Sequence, residues 1–259
     1  MNDFYFFAKG GNLMQLKGGP NIYGIPIGIL GLDSAFAKPP GHIKNASTFD
    51  FPVLYKTVRG ATTHRLINEM DRTLLEPFVA ALKKMEQEGV MAVTGSCGFL
   101  ALFQKELADA VDVPVFISSL IQVPMVHCML KSDQSVGILT AVKKQLTPDH
   151  LRAVGAQSTP VCIAGMDDQK EFMEVIIEAK RNELDFNKFE AELLSVAGGL
   201  IDRHPEVGAV VLECTDMPYF AHKIQKRVGR PVFDLITLTQ MVYQAVLRQP
   251  YCGIMPAAV

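Results

Sequence analysis

The chain has 259 residues, of which 49% are hydrophobic and 20% charged, and its formal net charge is −2. This composition provides a buried core and excludes a disordered protein, and without a long basic cluster we expect no nucleic-acid or membrane partner. The chain begins with no secretory signal pattern, and its most apolar run, 113–125, is too short and too polar to cross a bilayer. We therefore expect a soluble, cytoplasmic protein.

Short apolar runs alternate with segments of helical spacing along most of the chain. Runs typical of buried strands lie at 25–30, 90–94, 115–118, 135–140, 161–163, 207–213 and 232–235. Helical spacing is found at 71–88, 99–111, 148–154, 186–203, 219–228 and 238–248. Continuous apolar strands that alternate with helices predict an α/β protein whose parallel sheets are covered by helices on both faces.

An internal repeat divides the chain into two halves. Residues 89–116 and 206–233 align without a gap, and each copy ends in Pro-Val-Phe, with its proline 17 positions after Cys97 or Cys214. A phenylalanine also lies six positions after each cysteine. We predict two pseudo-symmetric domains, 1–130 and 131–237, each with a four-stranded parallel sheet, and a final helix within 238–259 that packs back on the first domain.

The cysteines are odd in number and widely spaced, and none forms a C-x-x-C pair. This pattern favours free thiols over a zinc knuckle or a disulfide framework. The five are Cys97, Cys128, Cys162, Cys214 and Cys252.

Two of these thiols occupy equivalent places in the repeat. Cys97 and Cys214 each follow a predicted strand and precede a predicted helix, at the sheet edge where ligands bind in α/β proteins. Because unpaired N–H groups at a helix start stabilise a thiolate, we expect both thiols to be shifted toward ionisation. Two facing domains would place them on opposite sides of one ligand. One thiolate could then remove a proton from carbon while the other thiol delivers one, inverting that carbon without a cofactor.

Other residues near the predicted strand ends are candidates for substrate binding. Glu213 is expected to face away from the cleft, because neighbouring residues on a strand alternate, whereas His42 is expected near it. No nucleotide-binding glycine motif and no metal-ligand spacing of histidines is present, so we expect neither a cofactor nor a metal. The predicted substrate-binding residues are Asp33, Asn45, Ser96, Gly98, Phe99, Ser118, Ser119, Thr140, Thr215 and Asp216.

Over roughly residues 25–247 the chain resembles the aspartate/glutamate/hydantoin racemase superfamily. Its segment LECTDMP, 212–218, is similar to the Cys-Thr-x-x-Pro pattern of that superfamily. The first motif, TGSCGF at 94–99, differs, because racemases of acidic amino acids usually have Cys-Asn-Thr, whose Asn and Thr help to hold the substrate carboxylate. The loop at 38–59 resembles a poorly characterised branch. The resemblance implies a two-domain α/β fold with its active site in the interdomain cleft.

Three functions are compatible with these features. The first is a cofactor-independent isomerase, a racemase or epimerase of a small carboxylate or amino acid, with Cys97 and Cys214 as the acid/base pair. The second is a lyase of the same superfamily, with Cys214 as the essential base. It would be a decarboxylase or an enzyme that cleaves dimethylsulfoniopropionate to acrylate by removing an α-proton. The third is a non-catalytic carboxylate-binding or thiol-redox protein. We expect a homodimer or a higher homo-oligomer in each case.

Overall fold

Two four-stranded parallel sheets, one in each half of the chain, form the framework of the protein. They are seen in a computed structural model that describes residues 18–251. The first sheet has the order β2-β1-β3-β4 and the second the order β6-β5-β7-β8, which is the same order shifted by four strands. This confirms the predicted fold class. The strands are β1 (Ile27–Gly31), β2 (Val53–Thr57), β3 (Ala92–Gly95), β4 (Val115–Phe116), β5 (Ser135–Thr140), β6 (Val161–Gly165), β7 (Val207–Leu212) and β8 (Val232–Phe233).

Helices follow most of the strands, as the alternating pattern predicts. Several begin with a short 3₁₀ turn, and the turn at Arg72–Leu74 starts where the Asp71 side chain accepts a hydrogen bond from the Thr73 N–H. An Asp at this position satisfies an N–H that the helix itself leaves unpaired. The helices are α1 (Leu75–Gln87), α2 (Gln104–Ala108), α3 (Gln122–His127), α4 (Pro148–Ala153), α5 (Lys170–Phe172), α6 (Phe186–Arg203), α7 (Ala221–Val228) and α8 (Leu235–Val246).

One strand was not predicted from the sequence. β2 lies inside the segment 38–59, which was interpreted as a loop, and it pairs in parallel with β1 at the edge of the first sheet. Its sequence, VLYKT, is only partly buried, so it lacks the continuous apolar run by which central strands are recognised.

Within residues 18–251, no helix combines the length and the apolar character needed to span a membrane.

The core of the first domain lies between its sheet and α1. Phe78, Leu82 and Met85 are fully buried on one face of this helix, at spacings of three and four residues. A Cβ on Gly28 in β1 would lie 3.3 Å from the Met85 sulfur, so glycine lets this helix approach the strand closely. The resulting core holds β1 and β3 in place, and their carboxyl ends carry part of the site.

The last helix of each half contacts the sheet of the other half. α8 contacts β3, and the Tyr243 ring on this helix stacks on Phe51 with 3.9 Å between centroids. In turn α3 contacts β5 and β7, with Val123 and Val126 fully buried. The domain boundaries at 130/131 and 237/238 stay a prediction. Residues 252–259 of the predicted final helix, including Cys252, lie outside the described residues.

Candidate active site

A cavity between the two domains brings the repeated cysteines together. The space between the walls, including the part that opens to solvent, is about 410 Å³, and both Cys97 and Cys214 line it. Each cysteine lies two residues after the end of its strand, β3 for Cys97 and β7 for Cys214. The equivalent strand positions in the two halves therefore converge on one space, at the sheet edge where ligands bind in α/β proteins.

The structure places some of the predicted substrate-binding residues in this cavity and others outside its lining. Those that line it together with the two cysteines are Ser96, Phe99, Thr215 and Asp216. Those that do not are Asp33, Asn45, Gly98, Ser118, Ser119 and Thr140.

The residues outside the lining hold neighbouring backbone or side chains instead. Asp33 Oδ2 accepts a hydrogen bond from the Gly60 N–H, and the Asn45 side chain donates one to the Lys38 carbonyl oxygen, 2.8 Å away. Both residues therefore fix the shape of the chain around the segment 38–59. Their role in substrate binding stays a prediction, and neither residue lines the cavity.

The three hydroxyl residues at strand ends are also used within the protein. Ser118 Oγ accepts a hydrogen bond from the Leu120 N–H and starts a 3₁₀ turn. Ser119 Oγ donates to the Leu212 carbonyl oxygen at 2.7 Å, and Thr140 Oγ1 donates to a Glu213 carboxylate oxygen at 2.8 Å. These hydroxyls make hydrogen bonds within the protein and lie outside the cavity lining, so direct substrate binding by them stays a prediction that the described contacts do not support.

A hydrogen bond between the domains closes the wall of the cavity. Thr215 Oγ1 donates to the Ser96 carbonyl oxygen across the interface at 2.7 Å, and both residues are buried. Ser96 Oγ in turn accepts a hydrogen bond from the Leu32 N–H at 2.8 Å. The two cysteine-bearing turns are thus fixed relative to each other.

Cys214 begins a series of hydrogen-bonded side chains that ends at the loop before β2. Its thiol donates to Asp216 Oδ2 at 3.3 Å, and His42 Nε2 lies 2.8 Å from Asp216 Oδ1. His42 Nδ1 accepts a hydrogen bond from the Lys44 N–H, so the neutral ring carries its proton on Nε2 and donates it to Asp216. His42 was expected near the cleft, and it lines the cavity.

Burial and negative charge keep both thiols protonated in the empty cavity. Burial raises the pKa of the Cys97 thiol well above its ordinary value, and the carboxylate of Glu213 acts in the same direction. The pKa of Cys214 is raised by burial, then by Asp216 and Glu213. Backbone N–H groups favour the thiolates but are outweighed. The predicted shift toward ionisation is therefore wrong for the protein without substrate.

Glu213 lines the cavity, contrary to the expectation that it faces away. β7 ends at Leu212, so the alternation of a strand does not continue to the next residue. Its Oε2 accepts hydrogen bonds from Thr140 Oγ1 and from the Ala141 N–H. Burial raises the pKa of Glu213 to about 7, with a further contribution from Asp216 and opposition from these two hydrogen bonds.

A lysine that sequence reasoning missed also lines the cavity. Lys44 Nζ donates to the Leu32 carbonyl oxygen at 2.6 Å. Burial, followed by the positive charge of Lys38, lowers the pKa of Lys44 to about 8, against the attraction of Asp216. The one signal in the sequence was the lysine and histidine content of 38–59, a segment that was interpreted as a loop typical of one branch of the superfamily.

One group of side chains among the described residues has a geometry that could hold a metal ion. The potential ligand atoms of Cys162, His204 and Glu206 lie within 4.8 Å of one another, outside the cavity lining. Glu206 Oε1 is 3.3 Å from both Cys162 Sγ and His204 Nδ1. The histidine spacing in the sequence did not indicate this group, because it contains a single histidine and its cysteine lies 44 positions before Glu206.

Comparison with solved structures identifies the fold. An unliganded arylmalonate decarboxylase superposes with a TM-score of 0.55 at 13% identity, over 85% of this chain and 92% of the other. A glutamate racemase from Bacillus anthracis superposes with a TM-score of 0.55 at 14% identity, over 85% and 82%. The chain therefore has the two-domain fold of the aspartate/glutamate racemase superfamily, which confirms the expected resemblance at the level of the fold.

Sequence comparison adds relatives with one named activity. A dimethylsulfoniopropionate lyase from Durusdinium sp. clade D is 28% identical over 242 residues, 91% of this chain and 79% of that protein. Dimethylsulfoniopropionate lyase 3 from Emiliania huxleyi (strain CCMP1516) is 26% identical over 238 residues, 88% of this chain. The chain spans only 61% of the length of that second relative. No protein-family model matches the chain.

Proposed function

We propose that this protein is a lyase that removes the α-proton of a small carboxylate bearing a cationic leaving group on its β-carbon. Dimethylsulfoniopropionate is the first substrate to test, because the lyases that resemble the chain carry its name. The observation that carries the proposal is the difference between the two cysteines. Cys214 donates its thiol proton to Asp216, which His42 supports, whereas Cys97 faces backbone N–H groups.

This difference suits an elimination, which needs one base. The Cys214 thiol passes its proton to Asp216, and the thiolate then takes the proton from the carbon next to the substrate carboxylate. The electron pair of that C–H bond forms the C=C bond as the C–S bond breaks, and the sulfur leaves with its bonding pair. Acrylate and dimethyl sulfide are the products, the abstracted proton restores the thiol of Cys214, and Asp216 releases the proton that it accepted to solvent, which returns the site to its starting state.

The charges of the cavity match a substrate with a charge at each end. Lys44 supplies a cation for the carboxylate, and this cation also favours the negative charge that develops on the α-carbon and carboxylate during proton removal. Glu213 supplies negative charge for the sulfonium group. An incoming cation also lowers the free energy of the thiolate, which burial and the nearby carboxylates disfavour.

A racemase or epimerase is the second candidate. The observation in its favour is that Cys97 and Cys214 line one cavity from equivalent positions of the two domains. In that reaction each cysteine is the base for one enantiomer and the acid for the other.

NMR of the purified protein in deuterated buffer separates the candidates. With dimethylsulfoniopropionate we expect acrylate and dimethyl sulfide to form, and with chiral amino acids such as aspartate we expect no α-proton exchange. Cys214→Ser should lower turnover by about a hundredfold or more, and Cys97→Ser by much less. Cys128→Ser, at an exposed site, is the control.

Other outcomes would favour the other candidate functions. If Cys97→Ser and Cys214→Ser both lose racemisation but exchange the α-protons of opposite enantiomers with solvent, the protein is an isomerase. Full turnover retained in both variants would remove cysteine catalysis altogether. A reversible disulfide between the two thiols, without any proton exchange, would favour the thiol-redox alternative.

A further inference from the structure

A buried carboxylate oxygen of a residue that lines the cavity has no hydrogen-bond partner. Glu213 lines the cavity and is 1% exposed, and its Oε1 accepts no hydrogen bond. Among the described residues, only two other buried side-chain atoms share this condition, the Nε2 atoms of His127 and His150, neither of which lines the cavity. Because an unpaired buried carboxylate is strongly unfavourable, Oε1 is the lining atom that gains most from a positive charge on a ligand.

The position of this oxygen is fixed by the framework around it. The Glu213 N–H donates to the Leu139 carbonyl oxygen at 2.8 Å, which holds the main chain. The other carboxylate oxygen, Oε2, accepts from Thr140 Oγ1 and the Ala141 N–H. With Oε2 held by two donors, Oε1 is the atom on which the carboxyl gains or loses its proton and its charge.

The glycine after Cys97 makes room for this carboxylate. A Cβ at position 98 would lie 2.1 Å from Glu213 Oε1 and 2.3 Å from the Glu213 carbonyl oxygen. Any side chain there, including the Asn that racemases of acidic amino acids usually carry, would occupy the same space. The motif Cys-Gly therefore places a negative group beside Cys97 where an amide donor would otherwise stand.

The surroundings of Oε1 indicate which kind of cation it takes. Apolar and aromatic side chains make up much of the lining, including Leu32, Phe36, Phe99, Ile176 and Ile177. Methylated cations, which have no N–H to donate, bind at such surfaces through charge and methyl contacts. The carboxylate of Asp216 is engaged on both oxygens, by His42 and by Cys214.

We infer that Glu213 Oε1 is the cation-binding subsite of the cavity and that it selects ligands with a sulfonium or quaternary ammonium group over neutral ligands of the same shape. The inference rests on the proposed function for the identity of the substrate. It concerns equilibrium binding, however, so it can be tested without turnover. Glu213 is assigned to substrate recognition and not to the removal of the proton.

Two carboxylates of equal shape provide the test. 3-(Trimethylammonio)propionate and 4,4-dimethylpentanoate differ by one positive charge, and titration calorimetry gives the dissociation constant of each. We expect the wild-type protein to bind the cation about tenfold to a hundredfold more tightly, the range for a hydrogen bond or contact with a buried charge. Glu213→Gln keeps the side-chain shape and should bring the two constants within about twofold of each other.

Matched variants keep the result interpretable. Glu190→Gln removes the same charge from α6 outside the cavity and should retain the full preference for the cation. Glu213→Asp retains the charge and should keep part of the preference, which provides a second readout if Glu213→Gln is poorly folded. A wild-type protein without preference, or an undiminished preference in folded Glu213→Gln, would overturn the inference. If the wild-type protein is a lyase but shows no preference for the cationic ligand, only the subsite inference is wrong. If it prefers the cationic ligand but is not a lyase, only the proposed reaction is wrong.

Discussion

The ionisation of Glu213 should be visible in the stability of the protein, independently of any ligand. Burial raises the pKa of this carboxyl from an ordinary 4.5 to about 7 in the folded chain. Between these two values the folded state binds more protons than the unfolded state, so the contribution of Glu213 to stability falls as the pH rises. The contribution is complete below pH 4.5 and is lost once the pH exceeds about 7.

The size of the effect follows from the two pKa values. The whole change corresponds to roughly 3 kcal/mol, most of it between pH 5 and pH 8. Glu213→Gln has the same shape and no proton to lose. The free energy of unfolding of this variant, relative to the wild-type protein, should therefore rise by roughly 2–3 kcal/mol from pH 5 to pH 8.

Urea unfolding followed by circular dichroism at both pH values measures this difference. Other groups titrate in the same range, but they are common to both proteins and cancel in the comparison. Glu190→Gln controls for the loss of one negative charge and should show a difference of less than about 0.5 kcal/mol. If the curves for Glu213→Gln and the wild-type protein run parallel from pH 5 to pH 8, Glu213 is not a buried, proton-binding group.

Three further substitutions test separate parts of the site. Gly98→Ala places a Cβ 2.1 Å from Glu213 Oε1 and should lower the free energy of unfolding by about 2–3 kcal/mol in urea. Lys44→Met should raise KM for a carboxylate substrate about tenfold with a smaller change in kcat, and the wild-type KM should rise as the pH passes about 8 and Lys44 loses its charge. Thr215→Val leaves the buried Ser96 carbonyl without its donor, which should cost about 1–3 kcal/mol in the same unfolding assay.

Controls for these variants lie elsewhere in the chain. Gly199→Ala in α6 meets only the flexible end of Arg203 and, because alanine favours a helix, should not lower the free energy of unfolding. Thr159→Val, at a half-buried position outside the helices and strands, should be nearly neutral. Lys83→Met, on the exposed side of α1, should leave KM unchanged. An unaffected KM in Lys44→Met would remove this lysine from substrate binding, and wild-type stability in Gly98→Ala or Thr215→Val would contradict the packing described at the corresponding contact.

The internal repeat explains why most of the framework could be predicted. Central strands such as β5 and β7 are buried throughout, and hydrophobic burial leaves a pattern that a single sequence displays. The gapless match around Cys97 and Cys214 then indicated that both thiols would occupy the same place in each half. β2 escaped prediction because an edge strand is only partly buried and needs no such pattern.

The electrostatics of the site could not be read from local patterns. His42 contacts Asp216 across 174 positions of sequence, and no periodicity relates the two. Glu213 was misplaced because the alternation rule was extended one residue beyond the end of β7. We expected the thiols to ionise because of the helix starts alone. Burial is the largest influence on both pKa values, and it becomes known, like the positions of Glu213 and Asp216, only with the fold.

The helices α3 and α8, which each contact the sheet of the other half, make the two halves depend on each other. Each helix directly follows the last strand of its own half and covers the sheet of the other half. A single copy of the repeated unit would leave one face of its sheet open to water. Two identical copies that exchanged this helix would cover both faces, which is the arrangement of a domain-swapped dimer. Within this chain each half therefore depends on a helix of the other half, and neither half is a separable module.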